Sequence, residues 1–264
     1  MLIENQWGQK GTGFLVVRAI DDKHGRGFLA TNKHVLHRDA QMRQNATHVV
    51  LHLNIRNEGE SVRGQTLHLP LDLGNGSKIW REHPDRDIDV IAFDITPLLS
   101  QYPRIEKRCP DYSFFADGAK LEELDVTIGD DVVVIGHPLG LTHRGTNFPL
   151  VRAGMIASRI GESLEDEYEE RDGTTRRRVL RGFLIDGATV PGSSGSPVVL
   201  RPIAGRLVKN AIVIEPPRPI LLGIVAETRY APIRTPQGEI LSYAGLGLAF
   251  DAETVKETIE LFFQ

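Results

Sequence analysis

A serine and a histidine in this sequence occur in surroundings that suit nucleophilic catalysis. Ser194 lies in the run Pro191–Pro197, which reads Pro-Gly-Ser-Ser-Gly-Ser-Pro. A serine hydroxyl needs a base to take its proton and backbone N–H groups where negative charge develops. Gly192 allows a sharp turn, and Gly195 keeps bulk away from the hydroxyl. His34, which follows an apolar strand-like run, is the candidate base, so the pair predicts a serine hydrolase.

A carboxylate normally orients such a histidine, and the segment Asp87–Phe93 offers two. Asp87 and Asp89 are two positions apart at the start of an apolar strand, so strand periodicity places them on the same side and cannot choose between them. Asp89 runs directly into the apolar residues, which predicts a low-dielectric setting, whereas Asp87 is nearer the loop. We favour Asp89 and keep Asp87 as the alternative.

The composition disfavours several classes of protein. The chain has 264 residues, enough for a substantial core, and a net charge of −4 without a basic block, which disfavours a nucleic-acid partner. No apolar stretch is long enough to span a bilayer, and the first residues lack a secretory signal pattern, so no membrane partner is expected. The single Cys109 excludes a disulfide within the chain and suits a reducing compartment, so we expect a cytoplasmic protein.

Short apolar or β-branched runs separated by turn residues recur along the chain and predict an all-β protein. Asn75-Gly76 predicts a tight hairpin between Leu67–Leu73 and Lys78–Trp80. The other predicted strands are Gly13–Ile20, Gly27–Thr31, His48–Ile55, Asp89–Ile95, Asp131–Gly136, Leu150–Ser158, Val179–Ile185, Pro197–Leu200, Leu221–Ala226 and Gly245–Phe250.

Two segments depart from this rhythm. Thr96–Asp125 combines prolines with polar residues and predicts a connector with short helical turns. At the end of the chain, Asp251 is expected to cap a helix in which Val255, Ile259 and Phe262 recur at helical spacing. The sequence therefore predicts two β units and a closing helix.

Taken together, the motifs resemble the trypsin/chymotrypsin-like serine peptidases, in which the order along the chain is His, Asp, Ser. The chain is most similar to the high-temperature-requirement (Deg-type) branch of bacterial origin. The segments that carry this resemblance are collinear with the family pattern and are Gly11–Phe14, Thr31–Val35, Asp89–Ile95, Gly129–Pro138, Asp186–Pro197, Leu222–Val225 and Gly245–Phe250.

The resemblance implies an all-β fold of two six-stranded antiparallel β-barrels with a C-terminal α-helix. It divides the chain into an N-terminal barrel over 1–100, a connector over 101–125, a C-terminal barrel over 126–250 and a terminal helix over 251–264. The first barrel would carry the histidine and the aspartate, and the second barrel would carry the serine.

The resemblance also implies the chemistry of a serine endopeptidase acting on polypeptides through an acyl-enzyme. Ser194 would be the nucleophile, His34 the general base and then acid, and Asp89 the group that orients His34. The backbone N–H groups of Gly192 and Ser194 would form the oxyanion hole. No metal or organic cofactor is expected, since the His48 and His52 pair has no further ligand at suitable spacing. The sequence leaves the oligomeric state open.

The residues that would form the substrate pocket are Ala188, Ala226 and Thr228. Ala188 stands where relatives that cut after Lys or Arg carry Asp, so a pocket for basic side chains is not supported. Thr228 stands where many relatives have Gly, which predicts a narrow pocket. We therefore expect a small or aliphatic side chain before the cut.

Two features leave other functions open. Ser196 replaces the second Gly of the family pattern Ser-Gly-Gly-Pro, and its side chain is expected to crowd the nucleophile. The replacement at Ser196 and the open choice between Asp87 and Asp89 leave a second hypothesis, in which the chain is a catalytically silent protein-binding domain of the same fold. An esterase or acyl-transferring enzyme with the same three residues is a further alternative.

The charged stretch Glu162–Arg178 predicts a hairpin about the turn Asp172-Gly173, with acids on one strand opposite bases on the other. The simpler reading, which we favour, is a solvated hairpin whose charges pair with one another. The functional reading is a regulatory or partner-docking loop near the active site.

Overall fold

The computed structural model describes residues 1–264 except 38–44, 57–60, 75–76, 108–109, 170–173, 188, 203–204, 209–210, 215–217 and 236–237. Strands dominate the described ranges. In chain order they are β1 (Leu2–Asn5), β2 (Lys10–Thr12), β3 (Phe14–Ala19), β4 (Gly25–Thr31), β5 (His48–Arg56), β6 (Val62–Pro70), β7 (Trp80–Glu82), β8 (Ile91–Asp94), β9 (Asp131–Gly136), β10 (Leu150–Ile156), β11 (Leu164–Glu169), β12 (Thr175–Leu180), β13 (Gly182–Asp186), β14 (Pro197–Leu200), β15 (Gly205–Val208), β16 (Ala211–Ile214), β17 (Ile220–Thr235) and β18 (Gly238–Asp251). The α-helices are α1 (Thr96–Gln101), α2 (Gly118–Glu123) and α3 (Ala252–Glu260).

The N-terminal half is built from two four-stranded sheets, β2-β1-β5-β6 and β3-β4-β8-β7. Both sheets bury one face in a shared core, to which they contribute Ile3, Leu29, Leu51 and Phe93. In β5 the buried Val49, Leu51 and Leu53 alternate with half-buried residues, because successive side chains of a strand point to opposite faces. Hydrogen bonding therefore divides this half into two sheets, where a closed six-stranded barrel was expected.

The C-terminal half is a closed barrel of six strands in the order β10-β13-β18-β17-β14-β9. Its interior is filled by apolar side chains that include Val132, Phe183, Val198 and Leu222. The neighbouring pairs of strands are antiparallel. The mostly β, chymotrypsin-like fold with a helix near the C-terminus is confirmed.

The predicted hairpin about Asn75-Gly76 is shorter than expected, and its turn lies outside the described residues. The segment Leu67–Leu73 contributes to β6, which pairs with β5, while β7 pairs with β8 in the other sheet. Between the two runs an isolated bridge joins Asp72 to Lys78. It is flanked by hydrogen bonds from the Leu73 N–H to the Ser77 carbonyl at 3.0 Å and from the Ile79 N–H to the Leu71 carbonyl at 3.4 Å. Beyond this short pairing the two runs diverge, because β6 pairs with β5 and β7 pairs with β8.

Four other strand predictions need new bounds. Of the run Asp89–Ile95, only β8 (Ile91–Asp94) is a strand. The run Val179–Ile185 is divided between β12 and β13, which belong to different sheets. The runs Leu221–Ala226 and Gly245–Phe250 are parts of the longer β17 and β18, whose outer ends pair with each other beyond the barrel.

The helix α3 and a third apolar cluster join the two halves. Phe28 of the first half and Phe250 of the second are fully buried in this cluster with Val255 and Ile259 of α3. Phe262 lies beyond the end of α3 and contacts Phe28, with 5.1 Å between the ring centroids. The candidate site described below lies beside this shared cluster, where both halves contribute residues.

Asp251 stands at the N-cap of α3, as predicted, but its side chain makes no capping hydrogen bond. Burial raises the pKa of this carboxyl to about 6.

Among the described residues, no helix has both the length and the apolar character needed to cross a membrane.

Candidate active site

The structure brings His34 against Asp89. His34 lies in a 3₁₀ turn, Lys33–Leu36, directly after β4, and Asp89 lies just before β8. The imidazole Nδ1 is 2.5 Å from Asp89 Oδ2, and the His34 backbone N–H donates to Asp89 Oδ1 at 3.1 Å. With Nδ1 facing the carboxylate, the neutral ring carries its proton on Nδ1 and a lone pair on Nε2. A histidine held in this way can act as a base through Nε2.

The two groups shift each other's protonation in opposite directions. Partial burial lowers the pKa of His34, but the charge and hydrogen bond of Asp89, with a smaller contribution from the Glu227 charge, outweigh it and leave the pKa raised. Burial raises the pKa of Asp89, but His34 and the hydrogen bonds to the carboxylate outweigh it and leave the pKa lowered. Asp89 is therefore ionised and favours the cationic form of His34.

Asp87 and Asp89, the two candidates for the orienting carboxylate, differ in how far their side chains are exposed to solvent. Asp89 is half-buried beside His34, whereas Asp87 is exposed and its backbone N–H donates to Asp85 Oδ1. Both precede β8, which begins at Ile91, so they do not share a strand and the periodicity argument does not apply. The contacts of this structure favour Asp89 as the partner of His34.

The residues that precede His34 fix the surrounding segments. Asn32 Nδ2 donates to the backbone carbonyl of Asp89 at 2.6 Å. The buried Lys33 reaches the backbone carbonyls of His83 and Asp85 at 3.0 and 2.9 Å. Sequence reasoning recognised Thr31–Val35 as a motif but gave Asn32 and Lys33 no role of their own, although both hold the loop that presents Asp89.

Ser194 lies in a tight turn that leads into β14. Gly192 and Gly195 on either side have φ values of +89° and +83°, in the left-handed region that favours glycine. The Ser194 hydroxyl donates to the backbone carbonyl of Ala226 on β17 at 3.3 Å. The half-buried serine is thus presented on a turn whose shape depends on its two glycines.

The backbone of this turn leaves two N–H groups for a ligand. The carbonyls of Pro191, Gly192, Ser193 and Ser194 all accept hydrogen bonds, from donors at distances of 2.6 to 3.0 Å. In contrast, the N–H groups of Gly192 and Ser194 have no acceptor within the part of the chain that the structure describes. Backbone donors without an acceptor beside a nucleophile are what an oxyanion hole requires.

Ser196 does not crowd the nucleophile in the way expected from the sequence. Its side chain is fully buried, and a Cβ built on Gly136 of β9 would lie 2.0 Å from its Oγ. The extra hydroxymethyl group therefore occupies the space that a glycine leaves in the neighbouring strand. The departure from the family pattern is accommodated inside the barrel.

The predicted pocket residues are placed as follows. Ala226 is buried and Thr228 is half-buried on β17, while Ala188 lies outside the described residues. Sequence reasoning missed Thr189, a buried residue whose Cγ2 would lie 2.4 Å from a Cβ at Gly247. Since Gly247 pairs with Thr228, the Thr189 side chain occupies space against the wall that carries Thr228.

The two strands of the predicted charged hairpin are present as β11 and β12, with Asp166 opposite Arg178, and the predicted turn Asp172-Gly173 lies outside the described residues. Asp166 and Arg178 of this hairpin, however, also form ion pairs with residues of β17. Arg178 lies 2.7 Å from Asp166 and 2.8 Å from Glu227 of β17, and Arg229 lies 2.9 Å from Asp166 and 3.4 Å from Glu227. We call these four residues the charge ring. It ties the hairpin to the strand that carries Ala226 and Thr228, so a fully solvated, self-paired hairpin is not what the structure has.

Replacing Arg178 by Gln is expected to lower the free energy of unfolding by about 1–2 kcal/mol, because Asp166 and Glu227 then share one cation in a poorly hydrated setting. The matched control is Arg177→Gln on the same strand, since Arg177 is 83% exposed and pairs only across the surface with Glu167. Urea unfolding should show a change of less than about 0.5 kcal/mol for this control. Equal effects of the two variants would contradict a structural role of the charge ring.

Among the described residues, no group of three or more His, Cys, Asp or Glu side chains is arranged to hold a metal ion. His48 and His68 contact each other across β5 and β6, and His52 lies 3.5 Å from Glu4.

The closed barrel, the two N-terminal sheets and the helix near the C-terminus define the class of chymotrypsin-like proteins. The family model described as "Trypsin-like peptidase domain" matches residues 11–208. The chain belongs to this family, and it is by family a serine protease. The resemblance seen in the sequence to trypsin-like serine peptidases is thereby confirmed.

Among solved structures, the chain is similar to forms of the Rv3671c protease. The active form of the Rv3671c protease from M. tuberculosis is 17% identical, with a TM-score of 0.48 over 98% of this chain and 78% of that chain. An inactive form of Rv3671c that carries a serine-to-alanine mutation is 16% identical, with a TM-score of 0.46 over 98% of this chain and 84% of that chain. No curated protein matches the chain.

Proposed function

We propose that this protein is a serine endopeptidase that hydrolyses polypeptides through Ser194, His34 and Asp89. The observation that carries the proposal is the contact of the His34 Nδ1 with Asp89 Oδ2 at 2.5 Å, which turns Nε2 into the basic atom of the ring. The turn around Ser194 supports it, because the N–H groups of Gly192 and Ser194 lack acceptors among the described residues.

In the first half of the reaction Ser194 becomes acylated. The hydroxyl proton passes to His34 Nε2 while Oγ forms a bond to the carbonyl carbon of the peptide, whose oxygen takes up the negative charge. The N–H groups of Gly192 and Ser194 stabilise that oxyanion, and Asp89 stabilises the cationic imidazole. The C–N bond then breaks, His34 gives its proton to the leaving amine, and an acyl-enzyme remains.

In the second half water releases the acid. His34 Nε2 takes a proton from water as the water oxygen bonds to the acyl carbon, and a second oxyanion forms in the same hole. The bond to Ser194 Oγ breaks and the proton returns from His34 to Oγ, which restores the free enzyme. The side chains of this chain supply every proton acceptor and donor, so the scheme uses no cofactor.

The pocket supports a small, uncharged side chain before the cut. Ala226 is apolar and buried, and Thr189 fills space against Gly247, opposite Thr228. None of Ala226, Thr189 and Thr228 carries a carboxylate that could pair with a basic side chain. The single cysteine in the sequence favours a reducing compartment, and we propose the cytoplasm on that ground.

A peptide library with each residue varied before the cut tests this function. We expect cleavage of amide bonds after Ala, Ser, Thr or Val, and none by His34→Ala protein. Turnover of p-nitrophenyl esters without cleavage of any amide would support the esterase alternative. A folded protein that binds peptides and cleaves neither kind of bond would support the catalytically silent alternative.

A further inference from the structure

Thr12, the last residue of β2, lies at the centre of the hydrogen bonds that hold the Ser194 turn. It is 1% exposed, and the proposed reaction scheme gives it no role. We propose that Thr12 is a positioning residue that fixes the oxyanion hole, so that the N-terminal half sets the catalytic geometry of the C-terminal half. This inference rests on the proposed function of Ser194.

Three contacts of Thr12 reach the second half. Its backbone N–H donates to the Ser194 carbonyl at 2.7 Å, and its Oγ1 donates to the Gly192 carbonyl at 2.9 Å. The same Oγ1 accepts from the backbone N–H of His137 at 2.9 Å. The hydroxyl therefore uses its proton and a lone pair at once, and its orientation is determined.

Thr12 constrains two of the four peptide planes that shape the hole. A trans peptide is planar, so its carbonyl and its N–H point in opposite directions. The Leu139 N–H holds the Pro191 carbonyl, and the Ser196 N–H holds the Ser193 carbonyl. Because the N–H groups of Gly192 and Ser194 belong to the same peptide planes, they point away from these donors. Thr12 holds the other two carbonyls of the turn, those of Gly192 and Ser194, which alternate with the first two along the chain. With all four planes held, the N–H groups of Gly192 and Ser194 cannot rotate independently.

Thr12 is itself held by the motif that carries the candidate base. Thr31 Oγ1 donates to the Thr12 carbonyl at 2.7 Å, and Thr31 lies three residues before His34. Leu2 of β1 lies opposite Thr12 in the sheet. A single buried threonine thus connects the histidine segment to the serine turn across the junction of the two halves.

The test compares Thr12→Val with Thr12→Ser. Valine keeps the shape and the backbone N–H but removes the hydroxyl, so the Gly192 carbonyl and the His137 N–H lose their partner. We expect kcat for a peptide substrate to fall about 10- to 100-fold with KM within about twofold, the scale that loss of catalytic geometry produces. Thr12→Ser should restore kcat to within about threefold, because the hydroxyl returns.

The matched control is Thr258→Val in α3. Thr258 is also fully buried, and its Oγ1 donates to a backbone carbonyl, that of Thr254, at 2.7 Å. Thermal unfolding measures the stability of every variant beside kcat and KM. We expect Thr258→Val to lower stability without changing kcat. If Thr12→Val does not fold, Thr12→Ala takes its place, with rates normalised to the folded fraction from circular dichroism.

Two results would overturn the proposal. A folded Thr12→Val with the kcat of the wild type would show that the hydroxyl does not hold the oxyanion hole. A loss of kcat as large in Thr12→Ser as in Thr12→Val would show that only packing matters at this position. Wild-type protein as inactive as Ser194→Ala would instead defeat the proposed function itself, and this inference with it.

Discussion

Replacing Asp89 by Asn is expected to lower kcat about 10⁴-fold, because the amide can no longer hold His34 in the tautomer with the proton on Nδ1. The amide has nearly the shape of the carboxylate, so packing and substrate binding should change little. Asp89 contacts both the ring and the backbone N–H of His34, and an amide can keep only part of that arrangement. Steady-state kinetics on a peptide substrate measures the change in kcat and in KM.

The pH profile gives the same variant a second readout. His34 must be neutral to accept the serine proton, and Asp89 holds the pKa of His34 above its ordinary value of 6.5 against the lowering effect of burial. The kcat/KM of the wild type should therefore fall as the pH drops through a midpoint above 6.5. In Asp89→Asn the stabilising charge is absent, so the midpoint should move to lower pH although the maximal rate is far smaller.

The control for this prediction is Asp87→Asn. Asp87 is exposed and two positions away, and the structure gives its side chain no contact with His34 among the described residues. Its kcat should stay within about twofold of the wild type, as for an ordinary surface substitution. If Asp87→Asn lost activity while Asp89→Asn kept it, the assignment of the orienting carboxylate would be wrong.

Gly195→Ala is expected to give the second-largest effect. A Cβ at this position would lie 1.8 Å from the Thr12 carbonyl oxygen and 2.5 Å from Thr31 Oγ1, and the φ of +83° adds strain. Both neighbours belong to the hydrogen-bonded junction of the two halves and cannot move apart without breaking it. We expect a loss of about 3 kcal/mol or more in the free energy of unfolding and a loss of activity. Urea unfolding with a parallel activity assay measures both.

Gly161→Ala separates the steric part of this effect from the backbone part. Gly161 has a φ of +82°, and a Cβ there would meet nothing within 4 Å. The control should therefore cost only about 1 kcal/mol, the scale of a non-glycine residue in the left-handed region, and keep full activity. If Gly195→Ala were no more harmful than Gly161→Ala, the close approach of Thr12 to the serine turn would be in error.

Much of the fold was readable from the sequence because local patterns determine it. Apolar alternation predicted β5 and β9 with correct starts, and helical spacing of Val255 and Ile259 predicted α3. The short β1 was missed because four residues carry too little periodicity, and its place depends on pairing with β5. The strand parity assumed for Asp87 and Asp89 failed because β8 begins only at Ile91.

The contacts that cross between distant segments were not readable from the sequence. The motifs indicated His34 and Ser194, but nothing local indicated that Thr12 joins their segments over 180 positions. The partner of Ser196 is a glycine in another strand, and an absent side chain leaves no sequence signal. The charge ring likewise pairs the hairpin with Glu227 and Arg229 of β17, which lie beyond the predicted strand Leu221–Ala226. Such contacts depend on tertiary packing, because the distance between residues far apart in the chain cannot be predicted from the periodicity of the sequence.

Labelling with a fluorophosphonate probe tests the central claim most directly, because the probe reacts covalently with an activated serine and needs no knowledge of the substrate. Wild-type protein and Ser194→Ala are labelled side by side, with Ser193→Ala as the neighbouring-serine control and circular dichroism as the check of folding. The proposed function predicts labelling of the wild type and of Ser193→Ala, and none of Ser194→Ala. A folded wild type that is not labelled, or labelling that persists in Ser194→Ala, would contradict it.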